Sequence, residues 1–343
     1  MSMAKATMGL FGKIITWVMY IFLFYSLTTA YVAGGGELFM NLFDVSRGWA
    51  ITLFVCIFGL IVYFGAKAVD RVNLLLMLGL SISYLFFVFA GIQNVKVDLL
   101  QHQHWGLSLL ALPVIFTSFG FQGLVPSLCV YLKRNIKNIR LSIIIGSSIP
   151  LLVYIVWQAL VLGIIPLNGV GGLKEAFIEG SSVIRPLQKV LENSWLSKMS
   201  SFFAFFALVT SFLGVTLGLF DFLADALSFK KDHRGKCALS ILVFVIPSTL
   251  AYWDTHIFII ALQYAGGYGC ALLLGLLPIV MVWVARYKIR LSDSGYRVWG
   301  GKPLLFILAT LVLIVIAKQV TDDYSGVKPM MEDIQANYST SVE

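Results

Sequence analysis

The residues in this sequence whose types and spacing could do chemistry lie inside apolar runs rather than in polar loops. The stretch PVIFTSFGFQGLVPSL sets Gly120 and Gly123 between Pro113 and Pro126, in the middle of a run long enough to cross a membrane. Glycine costs about 1 kcal/mol and proline about 3 kcal/mol in a helix interior, so the pattern predicts a helix broken near its centre. A break at that depth frees backbone groups that only protein, water or a ligand can satisfy. Half-helix N-termini then attract a carboxylate, and freed carbonyls hold a cation or an ammonium. The alternative is a packing kink whose glycines let a neighbouring helix come close.

A second run, FFALVTSFLGVTLGLFDFLADAL, carries Thr210 and Ser211 at its centre, Gly214 and Gly218 at small-xxx-small spacing, and Asp221 and Asp225 four apart. The glycines mark a close helix crossing. The two hydroxyls either bond back to their own helix or ligate a coupling cation. A carboxylate inside a span is a functional candidate by default. Asp225, beside Lys230 and Lys231, reads as half of an interfacial ion pair; Asp221, deeper, is the candidate gate or proton relay. His102 and His104 in QHQHWG have the spacing of a metal-binding pair, but no further ligand is near, so an outer interface is expected and no metal site. Glu37, after the glycine triplet Gly34 to Gly36 that should end its span, reads as an outer-surface residue. Tyr25 and Tyr31 fit lipid-facing or core packing, or one of them lines an aromatic pocket.

The elements that must position these residues are set by composition. The chain has 343 residues, 59% hydrophobic and only 12% charged, with a mean hydropathy of +0.89. Soluble domains carry about 25% charged residues, so this chain has nowhere to put its apolar surface except lipid. Nine runs can cross the hydrocarbon core as helices: 14–32, 49–66, 72–92, 107–131, 141–165, 200–227, 237–252, 258–285 and 304–317. They form one transmembrane domain over 1–320, all-α. Residues 166–199, whose apolar positions recur at helical spacing, predict two short amphipathic helices over the outer face, either a passive interfacial segment or a lid. Residues 321–343 are a polar tail. The net charge of +8 is spread between the apolar runs, not gathered in a patch, which speaks for topology signals and against nucleic acid. Lys and Arg are in clear excess on the side that holds the N-terminus and the loops after the second, fourth, sixth and eighth runs. That side is cytoplasmic by the positive-inside rule, so the N-terminus is inside and the C-terminus outside. Cys56, Cys129, Cys237 and Cys270 show no paired spacing and read as small hydrophobes.

Five stretches in order, YSLTTAYVAGGGEL, PVIFTSFGFQGLVPSL, IIGSSIPLLVYIVWQ, TSFLGVTLGLFDFLAD and GYRVWGGKP, together resemble the hydroxy and aromatic amino acid permease family of the amino acid-polyamine-organocation superfamily. The resemblance implies a secondary transporter importing an aromatic amino acid, tyrosine first, with a tryptophan permease as the alternative. It also implies a LeuT-type inverted repeat of five plus five helices plus one more, whose first and sixth helices are broken. On that reading the fourth run is the sixth helix, and Thr117, Ser118, Phe119, Gly120, Phe121 and Gln122 face the substrate. Tyr31 approaches the bound amino acid, and Thr210 and Ser211 lie near a coupling-cation position.

Two departures follow from the same resemblance. Nine spans correspond to eleven minus the first two, so the partner of the broken sixth helix is missing and an inactive truncated permease is a further alternative. Proton-driven members carry a mid-membrane lysine in the fifth helix; the third run here has none, which leaves H+ as the family expectation and Na+ at Thr210 and Ser211 as the alternative. No cofactor is expected. An intramembrane transferase would need acid, base or metal groups converging at one face, and a channel would need charged rings; neither pattern is visible.

Overall fold

A computed structural model describes residues 2–101, 108, 111–169, 171–178, 182–190, 194–229, 232–254, 256–289 and 298–325. All regular structure among these residues is helical. The long elements are α1 (Ser2–Phe43), α2 (Arg47–Phe64) and α3 (Ala66–Gly91), followed by the short α4 (Leu112–Ser118) and α5 (Val125–Tyr131), then α6 (Ile136–Ile164). Next come α7 (Leu173–Ile178), α8 (Ile184–Val190), α9 (Ser194–Ala226) and α10 (His233–Trp253). The continuous helix α11 covers Ile257–Lys288, and α12 covers Gly301–Ser325.

Eight helices among the described residues are long and apolar enough to cross a membrane. The exception among the nine expected runs is the fourth, 107–131, whose helix is interrupted. Several ends also differ from the hydropathy reading. α1 continues to Phe43 through the glycine triplet expected to end it, and α10 and α12 extend beyond the short runs 237–252 and 304–317. The reason is that a hydropathy run stops at the first polar residue, whereas a helix continues as long as its backbone bonds are satisfied. The region 166–199 holds two short helices, α7 and α8.

The chain forms two compact units. Unit 1 comprises Met1–Leu23, His104–Val153 and Leu262–Met330; unit 2 has as its main segments Phe24–Gln103 and Tyr154–Ala261. Unit 2 is held by phenylalanine rings. Phe54 meets Phe39 at 5.4 Å and Phe212 at 4.9 Å between ring centres, and Phe212 stacks on Phe244 at 6.0 Å, which joins α1, α2, α9 and α10. α3 runs along α9, with Gly79 against the Phe206 ring. A second cluster gathers Phe87, Trp157, Leu160, Ile164 and Leu187, so that α8 is packed on α3 and α6.

Unit 1 packs differently, through bare backbone. In α11 a β-carbon built on Gly266 would lie 1.7 Å from the carbonyl oxygen of Pro113 in α4, so the two helices touch main chain to main chain. A β-carbon on Gly267 would lie 2.4 Å from the Gln319 side chain of α12, and one on Gly269 would lie 2.9 Å from the Leu23 side chain of α1. Over this same stretch, Ala265–Leu276, α11 widens into a π-helix, a form that is rare and concentrates at functional sites. Ala271, Val312 and Val315 complete the apolar contact between α11 and α12.

Candidate functional site

The interruption expected between Pro113 and Pro126 is present. α4 ends at Ser118, Phe119 leaves helical geometry (φ −108°, ψ 22°), and a short 3-10 turn, Gln122–Leu124, leads into α5. Pro113 and Pro126 each stand in the first turn of the helix that follows, where a missing N–H costs nothing. Local bonds partly replace the helix ladder: Gly120 N–H donates to the Thr117 carbonyl at 3.1 Å and Phe121 N–H to the Phe119 carbonyl at 2.9 Å. The Thr117 hydroxyl donates back to Pro113 at 3.1 Å and lies 3.5 Å from the Leu262 carbonyl, tying the last turn of α4 to the start of the α11 stretch in unit 1. Phe119 and Phe121 are half-buried within their unit; Ser118, Gly120 and Gln122 are exposed. All six residues singled out between Thr117 and Gln122 therefore belong to one break in unit 1.

The other singled-out residues belong to unit 2. Tyr31 on α1 and Ser211 on α9 line one cavity of about 290 Å³, together with Gly34, Leu208 and Phe258. Ser182 and Ile184, from the 166–199 region, close one side of it. The Thr210 hydroxyl donates to the Ala207 carbonyl of its own helix at 3.0 Å. Asp221 is on the same helix but about 15 Å further along, at 1.5 Å per residue, and does not line this cavity. It is half-buried, whereas Asp225 is exposed. Lys230 and Lys231, and the pair His102 and His104, lie outside the described residues. No group of three or more His, Cys, Asp or Glu side chains among the described residues is placed to hold a metal ion.

Glu37 corrects the sequence reading. It is inside α1 and half-buried, and its Oε1 accepts the Ser182 backbone N–H at 2.9 Å. The glycines before it are packing positions rather than a helix end: β-carbons on Gly34, Gly35 and Gly36 would strike Leu208, the Phe54 ring and Ile51 respectively. Further bonds hold the same region. Arg185 Nη2 donates to Asn41 Oδ1 at 3.2 Å, and His256 Nε2 is 3.1 Å from the Ile178 carbonyl. Arg47 donates to the carbonyls of Ala251 and Asp254. On the loop itself Lys189 and Gly171 N–H both bond the Glu175 carboxylate, and the Lys189 bond chiefly holds that acid below the usual carboxylate range.

Sequence reasoning missed the α11 glycines and Thr28. The cluster AGGYG, with three glycines and an alanine in five residues, was the available signal for the former. Thr28 in YSLTTAY is fully buried, and its hydroxyl has no hydrogen-bond partner among the described residues. Only the fold reveals that.

With this geometry in place, comparison with known proteins gives a consistent result. The tryptophan/tyrosine permease family model matches residues 1–319. A tryptophan-specific transport protein of Haemophilus influenzae is 30% identical over 336 residues, covering 92% of this chain and 80% of the relative. The tyrosine-specific transport system 1 of the same organism is 32% identical over 320 residues, covering 92% and 79%. A tryptophan-specific transport protein of Pseudomonas aeruginosa is 30% identical over 338 residues, covering 92% and 80%. These are permeases, not enzymes, and the helices are those of a multi-pass inner-membrane protein. The chain belongs to the tryptophan/tyrosine permease family.

Proposed function

We propose that the chain is a secondary active importer of an aromatic amino acid, tyrosine first, built on a LeuT-type repeat with its N-terminus in the cytoplasm. The observation that carries this reading is the broken helix at Phe119–Phe121 in a member of a permease family. There the last α4 carbonyls, with no helical turn following them, can take the ammonium of an amino acid, and its carboxylate would displace the local bonds of the Gly120 and Phe121 N–H groups. Thr117, Ser118, Phe119, Gly120, Phe121 and Gln122 would contact substrate, with Tyr31 as an aromatic contact. Coupling is to H+, with Asp221 as relay; Na+ is the alternative. Thr210 spends its proton on the Ala207 carbonyl, which leaves its oxygen lone pairs, like those of Ser211, available to a cation.

Uptake of labelled tyrosine into proteoliposomes, with an H+ or a Na+ gradient imposed separately, tests the transport reading; no uptake under either gradient would overturn it. The tryptophan reading is supported by relatives of both names at similar identity, and competition by unlabelled tryptophan separates the two. Tyrosine's hydroxyl needs a polar partner, for which Gln122 is the candidate. Gln122→Leu should weaken tyrosine uptake by about tenfold while sparing phenylalanine, since a lost hydrogen bond discriminates strongly between substrates that differ by one hydroxyl. Equal loss for both amino acids would remove Gln122 from that role.

A further inference from the structure

Within unit 1 the turn between α5 and α6 is unusual in backbone and in charge. Lys133 and Arg134 both adopt left-handed geometry, with φ of 50° and 58°. For residues with a β-carbon that conformation is unfavourable, and such outliers concentrate at functional positions. The turn is nevertheless well held: Arg134 N–H donates to the Cys129 carbonyl at 2.8 Å and Lys133 N–H to the Val130 carbonyl at 3.0 Å. Asn135 Oδ1 then accepts the Asn138 N–H at 3.2 Å and caps the start of α6, a helix of 29 residues whose positive dipole end is at this turn.

Beside the turn is a cavity of about 530 Å³. Arg134 and Arg140 line it, and its remaining wall is apolar, built from Ile139, Ile143, Ile144 and Val298. Two guanidinium groups and a helix N-terminus favour a phosphate, which an arginine fork grips through two oxygens. A soluble phosphate would leave the isoleucine wall unused. A phosphate carrying an acyl chain uses both halves of the cavity.

We propose that this cavity binds an anionic phospholipid, with the headgroup phosphate between Arg134 and Arg140 and an acyl chain along Ile139, Ile143 and Ile144. Basic pockets where a spanning helix meets the membrane surface suit such headgroups. The site is separate from the residues proposed for transport, and its binding is read without any transport measurement.

The test uses the full chain, purified and titrated with phosphatidylglycerol or with phosphatidylethanolamine, with bound lipid counted by native mass spectrometry. The wild type should retain phosphatidylglycerol preferentially. Arg134→Gln with Arg140→Gln should lower that retention about tenfold or more, to the phosphatidylethanolamine level, as expected from roughly 1 kcal/mol per arginine near an anionic surface. Arg134→Lys with Arg140→Lys should keep part of it, and Lys5→Gln with Lys13→Gln should keep all of it. Ile143→Trp, which fills the apolar half without changing charge, should also lower retention; it decides the matter if the double glutamine variant does not fold. Unchanged phosphatidylglycerol retention in the double glutamine variant or in Ile143→Trp would overturn the proposal. So would full displacement of the lipid by millimolar inorganic phosphate, which would make this a free-anion site.

Discussion

In unit 2 the helices meet through phenylalanine rings, whereas in unit 1 they meet through glycine backbone. In lipid there is little hydrophobic drive to bring helices together, so close packing and hydrogen bonds must do it. Unit 2 achieves this with bulky side chains that interlock on regular helices. Unit 1 brings the main chains of α4 and α11 into contact, and there both helices depart from regular geometry: α4 stops at Ser118, and α11 widens from Ala265 to Leu276. The contrast shows where irregularity resides in this fold. Irregular backbone in a membrane must be satisfied by protein or by a lined cavity, and the glycine contacts supply the protein side of that requirement.

The comparison can be broken most directly at its two contact points. Gly266→Val should cost about 3 kcal/mol or more, since its side chain would displace the α4 backbone itself and overpacking alone typically costs 1–3 kcal/mol. Thermal unfolding of the purified chain would show this, and Gly214→Ala, where a β-carbon meets nothing within 4 Å, is the matched control. In unit 2, Phe54→Ala should cost about 3–5 kcal/mol through the cavity it leaves among Phe39, Phe58 and Phe212. If Gly266→Val were harmless while Phe54→Ala was not, the backbone contact would not be what holds unit 1 together.

Smaller effects sharpen the picture. Glu37→Leu removes the acceptor for Ser182 N–H and should destabilise the chain by about 1.5–3 kcal/mol, while Glu37→Gln, which keeps an acceptor oxygen, should recover most of that. Thr28→Val replaces an unpartnered buried hydroxyl by a methyl group and should leave stability unchanged or slightly raised. A clear loss of stability would mean that the hydroxyl has a partner in the membrane-embedded protein. A small effect that depends on pH is expected at Glu175. Its acid form is disfavoured in the folded chain, so its contribution is complete above the ordinary carboxylate pKa of about 4.3 and is lost as pH falls through the lowered folded value. Glu175→Gln should therefore cost under about 1 kcal/mol at pH 7, because the pair is partly exposed, and nothing once the acid is protonated.

The sequence made some of this legible and hid the rest for identifiable reasons. The break after Ser118 was readable because glycine and proline act locally, through φ and a missing N–H, wherever they occur. The apolar runs were readable because lipid selects for length and hydropathy. The glycine triplet at 34–36 misled, because propensity treats glycine as a breaker while packing rewards it as the residue that lets rings and helices approach. Its role depends on Phe54, Ile51 and Leu208, which no local window contains. Thr210 showed two outcomes in sequence, and only the geometry displays its bond to Ala207. The same is true of Tyr31 and Ser211, which are 180 positions apart and line one cavity.

The glycine triplet also limits how α1 can move. Successive residues of a helix point about 100° apart, so three in a row face three directions around the axis. At this level each direction is filled by a different neighbour, from α9, from the α2 ring and from the α2 aliphatic edge. A rod held on three sides at one height is not free to roll. If the Tyr31 cavity opens and closes, α1 cannot do it by twisting about its own axis; it must carry α2 and α9 with it as one block, or stay fixed while Ser182 and Ile184 lift away from it.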